Sequence, residues 1–463
     1  MKHFTLCVIL LLSVTSITPF QNINNSLSST DSSNYQTTGP KHSKIVIGYF
    51  AQWAIYARGF NVIDVEADKL THLLYAFYNP VYNSSNDSAS IESLDPFADY
   101  EHNKSGLFTN EALKGNIGAL KILKDRNPHL KILISVGGWT KSQHFPDIAA
   151  SQNARTTFAQ SMVDFMTSYP WIDGFDLDWE FPITGGTEGQ EKVNGLVIPA
   201  QPHTTNDHKN LVYLLRDIRA AFDSSGMQAK ELSIAMGNNV TNAASQFIGP
   251  NNEAANSMTT NIMDYCGFVT CFGYDFGGNW YDKTCYNAPL FGGDNVNDPL
   301  HNPSGRNQVL NELISLYITE VGIPANKLVI GIPFYGKIFE GVASTGVDPN
   351  NPGLYESAPR TMNPACNLPE PPVGTWDDIA NYNCETTGAI DFCDLFEGKA
   401  TNPHHFLDPT NPLAVSTAAA TAGWERRWDV DAKVPYLYNP TQQKFIQHIL
   451  YLYSQNRRKC RRI

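Results

Sequence analysis

Charge is scarce in this sequence, and positive charge scarcer still. Charged residues make up 17% of the chain, and 33 Lys and Arg face 45 Asp and Glu, for a net charge of −12. So acidic a protein is repelled by phosphate backbones, which sets nucleic acid aside as a partner. The one basic stretch holds Arg457, Arg458, Lys459, Arg461 and Arg462 and reads as a solvated tail. Beyond the N-terminus no predominantly apolar run approaches the roughly 20 residues that cross a bilayer, so no membrane span is expected. There is no CxxC pair and no GxGxxG after an apolar run, so neither a metal nor a dinucleotide cofactor is expected. What is present suffices for a packed core. Hydrophobic residues reach 42%, and the 33 glycines show no three-residue period, which excludes disordered and collagen-like chains.

The N-terminus carries Met1-Lys2-His3, an apolar stretch Phe4–Val14 and a polar exit to Pro19. This is the pattern of a secretory signal over residues 1–20, cleaved near Thr18 to Gln21, with a retained anchor as the alternative. The expected location is extracellular. Residues 21–43, rich in Asn, Ser and Thr, read as a flexible leader. Outside the signal stand Cys266, Cys271, Cys285, Cys366, Cys384, Cys393 and Cys460. Secretion favours disulfides. Their clustering suggests one pair among the first three and one or two among Cys366, Cys384 and Cys393, with connectivity open. Asn24, Asn83, Asn86, Asn103 and Asn239 begin N-x-S/T sequons.

Short apolar runs then alternate with amphipathic ones. Strands are predicted at Lys44–Phe50, Thr71–Tyr78, Lys131–Gly137, Gly174–Trp179, Glu231–Met236, Gly267–Tyr274 and Lys327–Phe334. Helices are predicted at Glu111–Asp125, Asn153–Tyr169 and Asp207–Ser224. Continuous apolar strands between helices imply a covered parallel sheet. Seven of them in this order favour an α/β fold of the (β/α)8 TIM-barrel type over residues 44–337. Two Rossmann-like halves are the alternative. Residues 338–447 break the pattern with dense Pro, Asn and Gly. They read as a small α+β insertion domain after strand 7, ending in a hairpin of Val434–Tyr438 and Lys444–Ile446.

The chemistry concentrates in Asp173-Gly174-Phe175-Asp176-Leu177-Asp178-Trp179-Glu180. On a strand, Asp176, Asp178 and Glu180 share one face, while Phe175, Leu177 and Trp179 share the other. A solvated edge strand and a calcium loop are the competing readings. The strand sits mid-pattern, where both faces are covered, and large apolar residues between the acids make a poor oxygen cage. Carboxylates so close cannot all ionise, so one retains a proton near neutral pH. Glu180, at the C-terminal end of the strand, reaches the barrel mouth and is the candidate general acid. Asp178 sits one side chain inward.

Together with Ser135-Val136-Gly137-Gly138-Trp139 on the third strand, the run DGFDLDWE resembles glycoside hydrolase family 18, the chitinases. The likeness covers about residues 44–447. It includes Gly48-Tyr49-Phe50 with Trp53, Tyr75-Ala76-Phe77, Tyr274-Asp275, and Gly331-Ile332-Pro333-Phe334-Tyr335-Gly336. The resemblance implies retaining hydrolysis in which the substrate's own N-acetyl oxygen attacks the anomeric carbon. On this resemblance Glu180 protonates the glycosidic oxygen, and Asp178 orients and stabilises the acetamido group. Asp176 shares a proton with Asp178, and Tyr274 donates to the acetamido carbonyl. Asp275 contacts the sugar, and Asp173 supports the strand. Tyr49, Trp53, Phe77, Gly138, Trp139 and Tyr335 line the cleft. The implied partner is chitin or its oligosaccharides, bound by a monomer.

Four departures from the family pattern stand out. Phe272 replaces a usual Met, Gly277 a common His, and Lys337 a usual Arg, which loses a bidentate fork but keeps the charge. The fourth is that residues 448–463 form an atypical basic tail where the resemblance leads one to expect an eighth barrel strand. A seven-strand barrel is expected to leave an open seam with two unpaired edges, lower stability and weakened sugar binding. The functional alternatives are a non-catalytic chitin-oligosaccharide-binding protein, a hydrolase of N-glycan cores and an inactive truncated chitinase. Such lectins usually lose the acid, and Glu180 is retained.

Overall fold

The computed structural model describes residues 11–13, 44–103, 114–193, 195–247, 262–364, 366–375, 384–392, 406–408 and 411–447, with residues 377, 381 and 395 between them. The first strands in chain order are β1 (Leu11–Ser13), β2 (Val46–Ala51), β3 (His72–Asn83), β4 (Ser88–Ser93), β5 (Lys131–Gly137) and β6 (Gly174–Asp178). They are followed by β7 (Lys192–Val193), β8 (Leu196–Val197), β9 (Glu231–Met236), β10 (Phe268–Cys271) and β11 (Leu328–Ile330). Helices α1 (Gly115–Arg126), α2 (Phe145–Ala150), α3 (Gln152–Ser168), α4 (Asp207–Ser224), α5 (Ala243–Gln246) and α6 (Leu310–Leu316) lie between them.

Seven strands run parallel in the order β2, β3, β5, β6, β9, β10, β11. This TIM-barrel-like arrangement follows from strands that are buried on both faces. The outward side chains of β6 show why. Phe175 meets Phe165 of α3 at 5.9 Å and Phe222 of α4 at 6.3 Å, and Trp179 stacks on Phe145 of α2 at 5.5 Å. Each such side chain withdrawn from water contributes about 1.5–3 kcal/mol. α4 presents Leu211, Leu215, Ile218 and Phe222 as one buried stripe at helical spacing. α3 starts where the Ser151 hydroxyl caps the Ala154 amide at 3.2 Å.

The seam between β2 and β11 departs from expectation. β1 lies there antiparallel to both, pairing Leu11 with Ile47 and Leu12 with Val46 and Ile330. The expected open seam is therefore corrected: both edges are paired along this short segment. β1 falls within residues 1–20, read above as a signal. The basic tail, residues 448–463, lies outside the described residues, as does the leader over 21–43.

A second, antiparallel sheet follows. Its strands are β12 (Tyr335–Glu340), β15 (Ala389–Asp391), β18 (Glu425–Asp429), β19 (Val434–Asn439) and β20 (Lys444–Gln447), while β13 (Thr361–Asn363) with β14 (Leu368–Glu370) and β16 (Leu407–Asp408) with β17 (Asn411–Val415) form separate two-stranded ribbons. The order is β15-β12-β20-β19-β18, and the hairpin foreseen from sequence is β19–β20. The 337/338 boundary falls inside β12, which carries Tyr335 at its first position. The Arg58 guanidinium, on the loop after β2, forms an ion pair with Asp391 and ties the two sheets together.

The pairing expected among Cys266, Cys271 and Cys285 is not found. All three stand as separate buried thiols. Cys266 precedes β10 and Cys271 ends it, so an extended strand holds them too far apart for a bridge. Cys285 donates to the Gly278 carbonyl at 3.9 Å. Cys393 and Cys460 lie outside the described residues. Among the described residues no helix is long and apolar enough to cross a membrane.

Deletion of residues 1–20 removes β1 and frees the edges of β2 and β11. The expected outcome is a lower Tm by scanning calorimetry, by about 1 °C for each kcal/mol lost in a chain of this length. An unchanged Tm would show that β1 contributes nothing.

Candidate active site

The alternation of β6 aims Asp176 and Asp178 into the barrel lumen, and all five residues of the strand are buried. Three hydroxyls converge on Asp176 from three other strands. Ser233 of β9 donates to Oδ1 at 2.6 Å. Ser135 of β5 and Tyr49 of β2 donate to Oδ2 at 2.8 and 3.3 Å. Burial pushes the Asp176 carboxyl above the usual carboxylate range, and the three donors pull it part of the way back. Burial and the Asp176 carboxylate in turn push the Tyr49 hydroxyl well up, so it stays a donor.

Asp178 has no such shell. Its Oδ1 has no hydrogen-bond partner among the described residues. Burial holds its carboxyl well above the ordinary range, and Glu180 and then Asp176 add repulsion. An unpaired acceptor in a dry site costs free energy unless it carries a proton or a ligand donor. Glu180 lies half-buried at the mouth, just past the end of β6. Burial, reinforced by the Asp275 carboxylate, pushes it up to about 8, while a hydrogen bond from the Trp139 backbone N–H opposes the shift. Burial is thus the first cause that raises each of the three carboxyls of the row.

The turn after β5 supports this row. Gly138 N–H donates to the Asp178 carbonyl at 2.7 Å. Ser142 Oγ receives the Glu180 amide at 2.9 Å and lies 3.0 Å from the Gly138 carbonyl. Gly137 has φ 109°, and a Cβ there would come within 2.4 Å of the Asp178 carbonyl oxygen. Gly138 has φ 89°, with the Phe77 ring 3.2 Å from where its Cβ would stand. Both positions therefore require glycine. Peptide bonds Ala76–Phe77 and Glu180–Phe181 are cis.

Aromatic rings form a continuous band around the mouth. Trp139 meets Phe181 at 6.4 Å, Phe181 meets Phe272 at 6.2 Å, Phe272 meets Tyr274 at 5.4 Å, and Tyr274 meets Tyr335 at 6.2 Å. Trp53 stacks on Phe77 at 6.4 Å on the β2–β3 side. The carbonyl of Tyr274 accepts from Asn238 at 2.6 Å, and Asp275, at φ 55°, accepts from Asn287 at 2.5 Å. The candidates Tyr49, Trp53, Phe77, Gly138, Trp139, Asp176, Asp178, Glu180, Tyr274, Asp275 and Tyr335 are thereby joined by contacts to one site. Asp173 is apart from it. It sits before β6 at the other end of the strand, where it accepts from Lys124 Nζ at 2.6 Å and the Ile132 amide at 2.8 Å.

Sequence reasoning missed Ser135 and Ser233 as the donors that hold Asp176, Ser142 as the anchor of Glu180, and Trp280. Trp280 is 40% exposed, with Lys337 Nζ 5.7 Å from its ring and 5.4 Å from that of Tyr335. Period-two alternation from Ser135 and Ser233 onto the inward face was the available signal for the two serines. No group of His, Cys, Asp and Glu suited to a metal is found among the described residues.

Comparison with known proteins places this geometry. Residues 45–450 match the family described as glycosyl hydrolases family 18. Chitinase ChiA of Flavobacterium johnsoniae is 49% identical over 410 residues, which are 88% of this chain and 25% of that protein. Chitinase A1 of Niallia circulans is 32% identical over 434 residues, 87% of this chain and 52% of that protein. The chain thus spans between a quarter and about half of the length of these relatives. Among solved structures, chitinase ChiA74 from Bacillus thuringiensis superposes with a TM-score of 0.66 at 30% identity, covering 87% of this chain and 61% of that one.

Because the folded protein keeps Glu180 protonated up to about pH 8 and the unfolded chain releases that proton near pH 4.5, folding stability falls as pH rises between the two. Glu180→Gln removes this penalty. Its Tm is expected to exceed that of the wild type by a few degrees at pH 7 and to converge with it at pH 4. A constant difference across that window would show that Glu180 does not carry the proton.

Proposed function

This chain belongs to glycosyl hydrolase family 18, and from that premise we propose that it is a chitinase, hydrolysing β-1,4 bonds between N-acetylglucosamine units. The observation that carries the reading is the carboxyl row. Glu180 holds a proton at neutral pH at the mouth, beside an Asp178 whose Oδ1 awaits a donor.

Glu180 gives its proton to the glycosidic oxygen as the bond to C1 breaks. The acetamido carbonyl oxygen of the same sugar attacks C1 from the other face, so no side chain serves as the nucleophile. Asp178 Oδ1 accepts the acetamido N–H and stabilises the positive charge that spreads onto the amide. Asp176, fixed by three hydroxyls, exchanges a proton with Asp178 and sets its charge. The Tyr274 hydroxyl donates to the acetamido oxygen and aligns it. Water then opens the cyclic intermediate, its proton passing to Glu180, which restores the acid. An internal nucleophile held in line supplies much of the rate gain. The sugar faces pack on Trp53, Trp139 and Tyr335, and a neutral polymer needs no counter-charge.

On this reading the second sheet is the α+β insertion domain that walls the cleft, and β1, which lies within the signal segment, closes the seam between β2 and β11 only until that segment is cleaved. The protein works as a secreted monomer. The non-catalytic alternative is disfavoured by the retained, protonated Glu180.

With a fluorogenic chitotrioside, Glu180→Gln is expected to lower kcat by about 10²–10⁴-fold, the usual contribution of general acid catalysis. Equal rates would sink the mechanism. The pH profile of kcat/KM for the wild type is expected to decline on its basic side with a midpoint near 8, as the acid form is lost. Asp275→Asn removes a neighbouring negative charge and keeps an acceptor for Asn287, so this midpoint moves to lower pH. A midpoint unmoved by Asp275→Asn would remove Asp275 from the tuning of the acid.

A further inference from the structure

Outside the acid row, two sulfur atoms are held side by side with no role in the chemistry above. Cys366 lies in the turn joining β13 to β14, where its amide donates to the Asn363 carbonyl at 3.3 Å. Cys384 lies on the segment leading into β15. Both stand as thiols in this structure, against the pairing expected in this cluster, and they lie within hydrogen-bonding reach of each other. Glu370 of β14 clamps both segments. Its Oε1 receives the Cys366 thiol at 3.9 Å, and its Oε2 receives the Thr386 amide at 3.2 Å and hydroxyl at 2.9 Å. The approach of the two cysteines is thus fixed from two directions rather than by the thiols alone.

The segment that follows Cys384 reaches two barrel loops. Glu385 Oε1 accepts the Gly195 amide, between β7 and β8, at 2.6 Å. The Thr387 carbonyl accepts Asn279 Nδ2 at 3.2 Å, directly before the exposed Trp280. Residues 384–388 therefore join the hairpin that follows the acid strand to the loop that follows Tyr274 and Asp275. A covalent tie at Cys384 would hold this lip in place.

We propose that Cys366 and Cys384 form a disulfide that locks the 384–388 lip onto the β7–β8 hairpin. The oxidant is a small-molecule or protein disulfide. One cysteine thiolate attacks it and releases one thiol, and the second cysteine then displaces the other. The S–S bond forms as the donor's S–S bond is reduced to two thiols, and the two protons pass to the leaving sulfurs. The hydrogen bond shared by the two sulfurs, then burial and the charges of Cys366 and Glu370, push the Cys384 thiol up to about 11, so the pair stands as protonated thiols at neutral pH and oxidation proceeds through the small thiolate fraction. This proposal does not rest on the hydrolytic reading of the site.

The test is made on the purified full chain, equilibrated with oxidised glutathione, blocked with N-ethylmaleimide and mapped by mass spectrometry. The expected result is a peptide holding Cys366 linked to one holding Cys384, released by dithiothreitol, with Cys266, Cys271 and Cys285 remaining thiols. Alkylation of both Cys366 and Cys384, or linkage of either to Cys393, overturns the pairing. For the lip, hydrogen–deuterium exchange is compared between the oxidised protein, the reduced protein and Cys384→Ser. The peptide containing Gly195 is expected to exchange several-fold faster in the last two. Equal exchange in all three overturns the locking role even if the bond is found.

Discussion

A carboxylate buried in the lumen of a barrel is tolerable only if its charge is satisfied or suppressed, and the centre of this protein is organised around that constraint. Asp176 is the deepest of the acids and is fully enclosed. Three hydroxyls from three strands surround it. Removing a carboxylate from water without partners costs several kcal/mol. The alternation of β2, β5 and β9 points those partners inward, and ring closure brings them to one spot. Asp178, one step outward, lacks this compensation, so protonation relieves it. Glu180, at the rim, is pushed up by its own burial and then by the Asp275 carboxylate, and remains an acid where a solvated glutamate would be ionised.

Rigidity at the mouth follows from the same requirement. The acid row is useful only if its end does not wander. The Ser142 hydroxyl fixes the Glu180 amide, and the two glycines after β5 let that turn press against the end of β6. On the outer face Phe175, Leu177 and Trp179 lock the strand into the helical layer. The apolar and acidic faces of one five-residue strand thus serve opposite ends, one packing and the other chemistry. The aromatic band from Trp139 to Tyr335 continues this stiffness around the rim and supplies the flat apolar surface that a sugar ring can cover.

The second sheet and the barrel hold each other at several places, among them Tyr286 on Asp429 and Asn287 on Gln447. Arg58 pairs with Asp391 on one side, and the 384–388 segment meets Gly195 and Asn279 on the other. The charged pair is nearly withdrawn from solvent. Such a pair specifies a geometry more than it adds stability, because desolvation offsets much of its attraction. The cleft is therefore bounded by contacts that fix its width.

The period-two placement of Asp176, Asp178 and Glu180 against Phe175, Leu177 and Trp179 fixed their faces before any fold was known, since strand alternation is local. The same locality made α4 legible over Asp207–Ser224 from end to end. Other features were decided only in three dimensions. The donors on Asp176 come from 41, 57 and 127 residues away, and no local pattern records which strands will meet. Cys266 and Cys271 are near in sequence but an extended strand separates them, whereas Cys366 and Cys384 are brought together by a turn and by Glu370. Asp173 adjoins the acid row in sequence and lies at the opposite end of the barrel, because a strand carries its two termini to opposite sides of the fold. Sequence determined which side chains share a face; closure of the sheet decided what those faces meet, because pairing between distant strands depends on the whole ring.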